Sequence, residues 1–345
     1  MRKVGCWSPG DTPWPIETAV SDSLPRRIDE LRSAVYPAYA LLAGMQLDLF
    51  TSLTDEPQTA SQLAAAMHAD ASRLRVLLYA LTNAGLLTVE DERFANTPEA
   101  DRFLVRGREH CLLERHHLWS ELWQALGGTA DSIRNGRPHA RKDFAHMPDS
   151  ELRTFLRGLY PNARAEGREF AVRFEAADNQ ILDVAGGSGG LAIGLTEAKP
   201  QLAVTVVDFP EVIPHTSHFV EAAGASSRIR VEAADVVEGS LAGSYGAAIL
   251  RNFLQVLAPD KIVRALASVS SALRPGAVIY VSGDILDDSR QTPEDTAAFN
   301  LVFINIYDAG QAYTESEYGE WLSQTGFVEI ERLEEDLMRA RWPER

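Results

Sequence analysis

Cysteine is nearly missing from this chain of 345 residues; Cys6 and Cys111 are the only two. Two thiols cannot build a disulfide framework, so the chain reads as one kept reduced in the cytoplasm. Basic residues are in deficit: 33 Lys and Arg against 49 Asp and Glu give a formal net charge of −16. That balance argues against a nucleic-acid backbone or an anionic membrane as partner. No apolar run is long enough to span a bilayer, and the segment from Met1 to Trp7 lacks the apolar core of a signal peptide. Metal-ligand spacing is missing too. His215 and His218 lie three apart without a second pair, which reads as a solvated face and no metal site.

What is present is a soluble globular composition, 45% hydrophobic and 24% charged, at a length that suggests about two domains. Residues 1–24 carry prolines and tryptophans without periodicity and read as an irregular arm. From Ile28 to Leu53 apolar residues recur at helical spacing (Leu31, Val35, Tyr36, Tyr39, Leu42). Small capping residues then precede two further helical patterns, at Thr59–Ala64 and Asp70–Leu74. Ala84–Val89 and Phe94–Thr97 read as a hairpin. Three helices and a hairpin over residues 25–107 make a winged helix. Its third helix, Ser72 to Ala84, offers only Arg73 and Arg75 as basic residues, too few for a DNA reader. The unit is therefore expected to build a homodimer, because Ile28–Leu53 has more apolar surface than one winged helix needs. Residues 108–175 read as a helical linker and substrate-pocket segment, with His116, His117, Trp119 and Trp123 close together and Phe155, Leu159 and Tyr160 on one helical face.

From residue 176 to 345 strands alternate with helices. The strands are expected at Gln180–Val184, Ala203–Val207, Ile229–Ala233, Gly246–Arg251, Ala277–Gly283 and Val328–Leu333. That alternation makes a parallel, doubly wound, Rossmann-like sheet, with a ligand at the carboxyl ends of its strands. The first strand ends in an acid and a glycine loop, Asp183-Val184-Ala185-Gly186-Gly187-Ser188-Gly189-Gly190. A plain tight turn would explain the glycines, and so would a dinucleotide site. A dinucleotide loop, however, wants G-x-G-x-x-G with no leading acid. Asp183 would repel a pyrophosphate and suits a cation. Asp208 closes the second strand, where an acid commonly takes ribose hydroxyls. With Asp235 later, the order of acids points to S-adenosylmethionine, which carries an ammonium, a sulfonium and an adenosine.

The order and spacing of these motifs, from about residue 30 to 335, resemble the small-molecule O-methyltransferases of the caffeate and acetylserotonin type. The resemblance implies an N-terminal dimerisation module and a C-terminal cofactor domain. It places Asp183, Gly187 and the loop (with Ala185 where another glycine would stand) on the methionine part of the cofactor. It puts Asp208 on the ribose, Asp235 and Val236 beside adenine, and a basic residue at Arg251. It also implies a catalytic histidine after the fourth strand, oriented by a glutamate. Here Gln255 stands in place of the histidine, Leu257 in place of an adenine-stacking tryptophan, and Ala312 in place of the glutamate. A glutamine amide cannot accept a proton at useful pH. Gln255 is expected to face the substrate with Asn252, Asn300 and His117 nearby, orienting it without removing its proton. Methyl transfer to a small aromatic acceptor is one reading. Chemistry that uses the charged cofactor without methyl transfer (hydroxylation, decarboxylation or a pericyclic step) is the other. A winged-helix regulator is a third.

Overall fold

The structure is a computed structural model that describes residues 25–108 and 110–344. The arm expected over residues 1–24, and Cys6 with it, lies outside the described residues; Cys111 is a free thiol.

The N-terminal unit opens with α1 (Arg26–Ser33) and α2 (Val35–Gln46), followed by β1 (Gln58–Thr59), α3 (Ala60–Met67), α4 (Ala71–Asn83), β2 (Leu87–Glu90), β3 (Arg93–Asn96) and α5 (Pro98–Leu104). Local chemistry sets the boundaries. Thr59 and Gln62 form a reciprocal capping box at α3, and the Asp70 carboxylate accepts the Arg73 amide at α4. The three strands pair antiparallel in the order β1-β3-β2, which completes the winged helix. Its core gathers Phe50, Leu63, Leu78, Leu81 and Phe94. The opening helices leave Ile28, Leu31, Val35, Tyr36 and Tyr39 exposed, Leu31 and Tyr36 each by 59%.

A helical segment follows: α6 (His116–Leu126), α7 (Thr129–Asn135) and the 22-residue α8 (Asp149–Phe170). The remainder is β4 (Gln180–Val184), α9 (Gly190–Ala198), β5 (Ala203–Asp208), α10 (Ile213–Ala222), β6 (Ile229–Ala233), β7 (Tyr245–Arg251), α11 (Pro259–Ser271), β8 (Leu273–Ser282), β9 (Ile285–Leu286), α12 (Glu294–Ile306), β10 (Tyr313–Thr314), α13 (Glu315–Gln324), β11 (Val328–Glu334) and β12 (Leu337–Arg341). Seven strands form one sheet in the order β11-β12-β8-β7-β4-β5-β6. Its central strands β4, β5, β7 and β8 are mostly buried. On one side Ile181, Val204 and Val206 meet α8 and α9; on the other Leu182, Val184 and Leu250 meet α11 and α13. The strand order reverses beside β4, so the ligand crevice opens at the ends of β4, β5 and β7.

Two details differ from the sequence reading. The sheet is not wholly parallel, since β12 runs antiparallel to both β8 and β11. Leu337-Met338-Arg339-Ala340-Arg341 is short and mixes buried apolar residues with arginines, so it shows no clean period. His215 is also no solvated residue: its side chain is 13% exposed and its Nε2 lies 2.9 Å from Asp149 Oδ1 on α8. His218 is the exposed one of that pair.

Helices α8 and α9 cross at close range through glycines. A Cβ on Gly194 would run into the Arg164 carbonyl, and one on Gly190 would stand 2.9 Å from Ala163 Cβ. This contact fixes α8 against α9, and brings Leu156 within 3.5 Å of where a Cβ on Gly187 would stand.

Candidate active site

The cofactor side is built from backbone. Asp183 ends β4 with 1% exposure, and its Oδ2 has no hydrogen-bond partner. Burial pushes its pKa up to about 7; the nearby Arg251 charge pulls the other way, and Asp208 adds to the rise. An orphaned buried carboxylate oxygen suits a cationic ligand. The loop then turns through Gly187 at φ +55° and Gly189 at φ +69°, conformations that glycine adopts without cost. Ala185 holds φ +53° without that freedom. Asp208 ends β5. Its Oδ2 accepts the Gly187 amide at 2.8 Å and its Oδ1 accepts the Phe209 amide at 2.7 Å. Burial raises its pKa to about 6, against the pull of those two bonds. Each oxygen keeps a lone pair for a ligand hydroxyl. Asp235 accepts the Val237 and Glu238 amides on Oδ1, and Val236 beside it is buried. Arg251 ends β7 and donates its Nε to Glu166 on α8 at 2.5 Å.

The acceptor side is held differently. Gln255 lies in a short turn after β7 and is 5% exposed. Its Nε2 donates to Asp284 Oδ2, and its Oε1 accepts the Asp284 backbone amide, both at 2.9 Å. Both ends of the amide are thus occupied by one residue. Gly283 makes room, since a Cβ there would land on Gln255 Oε1 and stand 3.0 Å from Asn252 Oδ1. Asp284 itself is half-buried, and burial raises its pKa, with the Gln255 bond opposing and Asp336 assisting. Asn252 is exposed and held at φ +53°. Asn300, on α12, accepts the Ala312 amide on Oδ1 at 2.9 Å. His117 is an exposed residue of α6 whose ring lies 3.9 Å from that of His116. Burial and the neighbouring His116 lower its pKa. It makes no hydrogen bond to Gln255 or Asn300 among the described residues. His116 is the hydrogen-bonded one, its Nδ1 2.7 Å from the Leu113 carbonyl oxygen.

Three residues in or beside these groups had no clear signal in sequence. Asp284 sits in an acidic loop where nothing distinguishes it from Asp287 and Asp288. Glu166 lies in a charged helix and meets Arg251 only through the fold. Tyr307 looks like one more core aromatic.

A strand-ending acid, a glycine turn, a second strand-ending acid and a third beyond β6, on a seven-stranded sheet with one reversed strand, define the class of S-adenosylmethionine-dependent methyltransferases. Comparison with known proteins names the family. Residues 144–328 match the O-methyltransferase domain model and residues 30–106 match the O-methyltransferase dimerisation domain, so the chain belongs to the O-methyltransferase family. It is similar to the 3-hydroxy-5-methyl-1-naphthoate 3-O-methyltransferase of Streptomyces sahachiroi, 28% identical over 89% of this chain and 90% of that protein. The tetracenomycin polyketide synthesis 8-O-methyl transferase of Streptomyces glaucescens is 26% identical over 89% and 92%. Among solved structures, human N-acetylserotonin methyltransferase in complex with S-adenosylmethionine superposes with a TM-score of 0.82 at 22% identity, over 95% of this chain and 99% of that one.

Proposed function

We infer that this enzyme methylates a small aromatic metabolite, at oxygen or at an electron-rich ring carbon, as a homodimer and without a histidine base. The observation that carries this reading is the Gln255–Asp284 pair. It fills the place of the usual base with an amide that already donates to and accepts from Asp284, while Asp183, Asp208, Asp235 and Gly187 stand on the cofactor side. The cofactor, when bound, supplies a methyl group activated on a sulfonium. Asp183 offers a carboxylate to its ammonium end, Asp208 offers acceptor lone pairs to the ribose, and Asp235 and Val236 border the adenine. The acceptor side contributes position: Leu118, Leu122, Phe155 and Ile306 form an apolar wall from α6, α8 and α12. Holding a nucleophile in line with the methyl supplies much of the rate. The base then matters little, provided the acceptor hydroxyl is more acidic than a simple phenol near 10.

Support for an aromatic acceptor comes from the hydroxynaphthoate and tetracenomycin relatives, which span nearly the whole chain. The missing base pair also favours a second reading, in which the charged cofactor assists chemistry other than methyl transfer. Mass spectrometry on turned-over hydroxynaphthoates separates the two. One added methyl with S-adenosylhomocysteine formed is expected; product lacking the methyl supports the second reading. Across phenols of different acidity, the rate should track ionisation of the phenol. A protein pKa near 6.5 that vanishes in His117→Ala would overturn the base-free mechanism.

A further inference from the structure

Tyr307 has a hydroxyl that neither the fold nor the base-free reading uses. It caps the C-terminus of α12. Its ring packs against Phe144 and Phe303, with centroids 6.3 and 5.9 Å away. It joins the apolar wall of α6, α8 and α12 to a second cluster that contains Ala312. A Cβ on Gly310 would lie 2.8 Å from the Gln255 main-chain carbonyl oxygen and 3.0 Å from Tyr307 Cβ, so Gly310 packs between the Tyr307 side chain and the backbone of Gln255.

The hydroxyl has no hydrogen-bond partner among the described residues, and burial alone pushes the phenol far above its ordinary range. Buried tyrosines normally find a partner. Here Tyr280 receives the Glu175 amide and Tyr313 donates to the Leu257 carbonyl. Tyr318 is 2% exposed and packs edge-on against Tyr313 and Trp321. Tyr307 is only half-buried. Tyr307 therefore keeps some exposure while its ring packs against the apolar cluster of α6, α8 and α12. The phenol remains protonated at any working pH, so it is a donor and never an acceptor of charge.

We propose that the Tyr307 hydroxyl positions the acceptor by donating a hydrogen bond to a neutral carbonyl on the aromatic ring system that is methylated. A carboxylate fits less well. Lys142, the cation over the Phe155 ring, is committed to Glu121 at 2.6 Å and to Glu151 at 3.7 Å. An anion entering this wall would meet no uncommitted charge from that residue, whereas a ketone or ester oxygen needs only a donor.

This inference rests on the aromatic-acceptor reading, and the experiment keeps the two apart. Binding of methyl 3-hydroxy-1-naphthoate and of 2-naphthol, the same ring without the carbonyl, is measured by calorimetry on enzyme saturated with S-adenosylhomocysteine. The wild type should bind the ester roughly fivefold more tightly than the naphthol, and Tyr307→Phe should close that gap. The variant should keep its S-adenosylhomocysteine affinity and its thermal midpoint, as an isosteric change at an unpaired hydroxyl allows. In turnover the loss should fall on KM for the ester and spare kcat. A gap that persists in Tyr307→Phe, or no gap in the wild type, overturns the role of Tyr307 and leaves the aromatic acceptor standing. Failure of both probes to bind overturns the aromatic acceptor and this inference with it.

Discussion

In the proposed cofactor site, Asp183 is expected to couple charge to ligand. Its carboxyl, pushed up to about 7 by burial, holds a proton below that pH until a cation arrives. A cationic cofactor favours the ionised form, so affinity should rise as pH climbs toward 7 and level off above it. Calorimetry at pH 6.5 in two buffers of different ionisation enthalpy should show proton release on S-adenosylmethionine binding; heats that do not depend on the buffer would refute this. Linkage gives the sign for stability. The folded pKa lies above that of the unfolded chain, near 4, so the unliganded protein loses stability as pH rises from about 4 toward 7 and no more above it. Asp208 acts differently, because the Gly187 and Phe209 amides fix both of its oxygens. Asp208→Ala should weaken cofactor binding by about 1–3 kcal/mol, the cost of a lost hydrogen bond to a charged group. Unchanged affinity in the same calorimetric titration would remove it from the site.

At the scale of elements, the Gln255–Asp284 pair is a clasp between the turn after β7 and the chain just beyond β8. Gln255→Ala would strip partners from a half-buried carboxylate and an amide together. The expected loss is about 1–3 kcal/mol of unfolding free energy by urea denaturation, with less than a tenfold fall in kcat. A loss of 10²–10⁴ in kcat would mean that Gln255 takes part in proton transfer after all. Much of this architecture was legible in the residues. The acid that closes Ile181–Leu182 and the glycines after it fix one strand, one turn and one helix start. The capping box at Thr59–Gln62 marks α3, and the apolar runs mark five of the parallel strands. β12 was not legible, because five residues with two arginines carry no period. The clasp was not legible either. Gln255 could be placed by its distance from Arg251, but nothing local shows that its amide meets an aspartate 29 residues on. Tyr307 stayed hidden for a related reason: a phenol announces itself only by the absence of a partner, which is a property of the folded chain.

At the scale of the whole molecule, the exposed apolar residues of the opening helices bear on assembly. Ile28, Leu31, Val35, Tyr36 and Tyr39 form an exposed apolar face on α1 and α2, within or beside the matched dimerisation domain. Exposed patches of that kind mark interfaces. Sedimentation should therefore show a dimer at micromolar concentration, and Leu31→Asp with Tyr36→Asp should shift it to monomer with the winged-helix core intact. A wild-type monomer under those conditions would count against the assembly. Tyr39 also stands 5.6 Å from Trp123 on α6, ring to ring, so the apolar face touches the helix that carries the acceptor wall.

Gly283 gives the site a memory. The space that a side chain would need at position 283 is taken by the Gln255 amide, and the amide in turn is gripped by the next residue along. A histidine restored at position 255 would find Ala312 where its orienting glutamate should be, and it would leave Asp284 without the amide it now holds. Gln255 and the adjacent pair Gly283-Asp284 lie on separate stretches of chain, yet each limits what the other can become. Any replacement of Gln255 removes both hydrogen bonds of the present clasp at once.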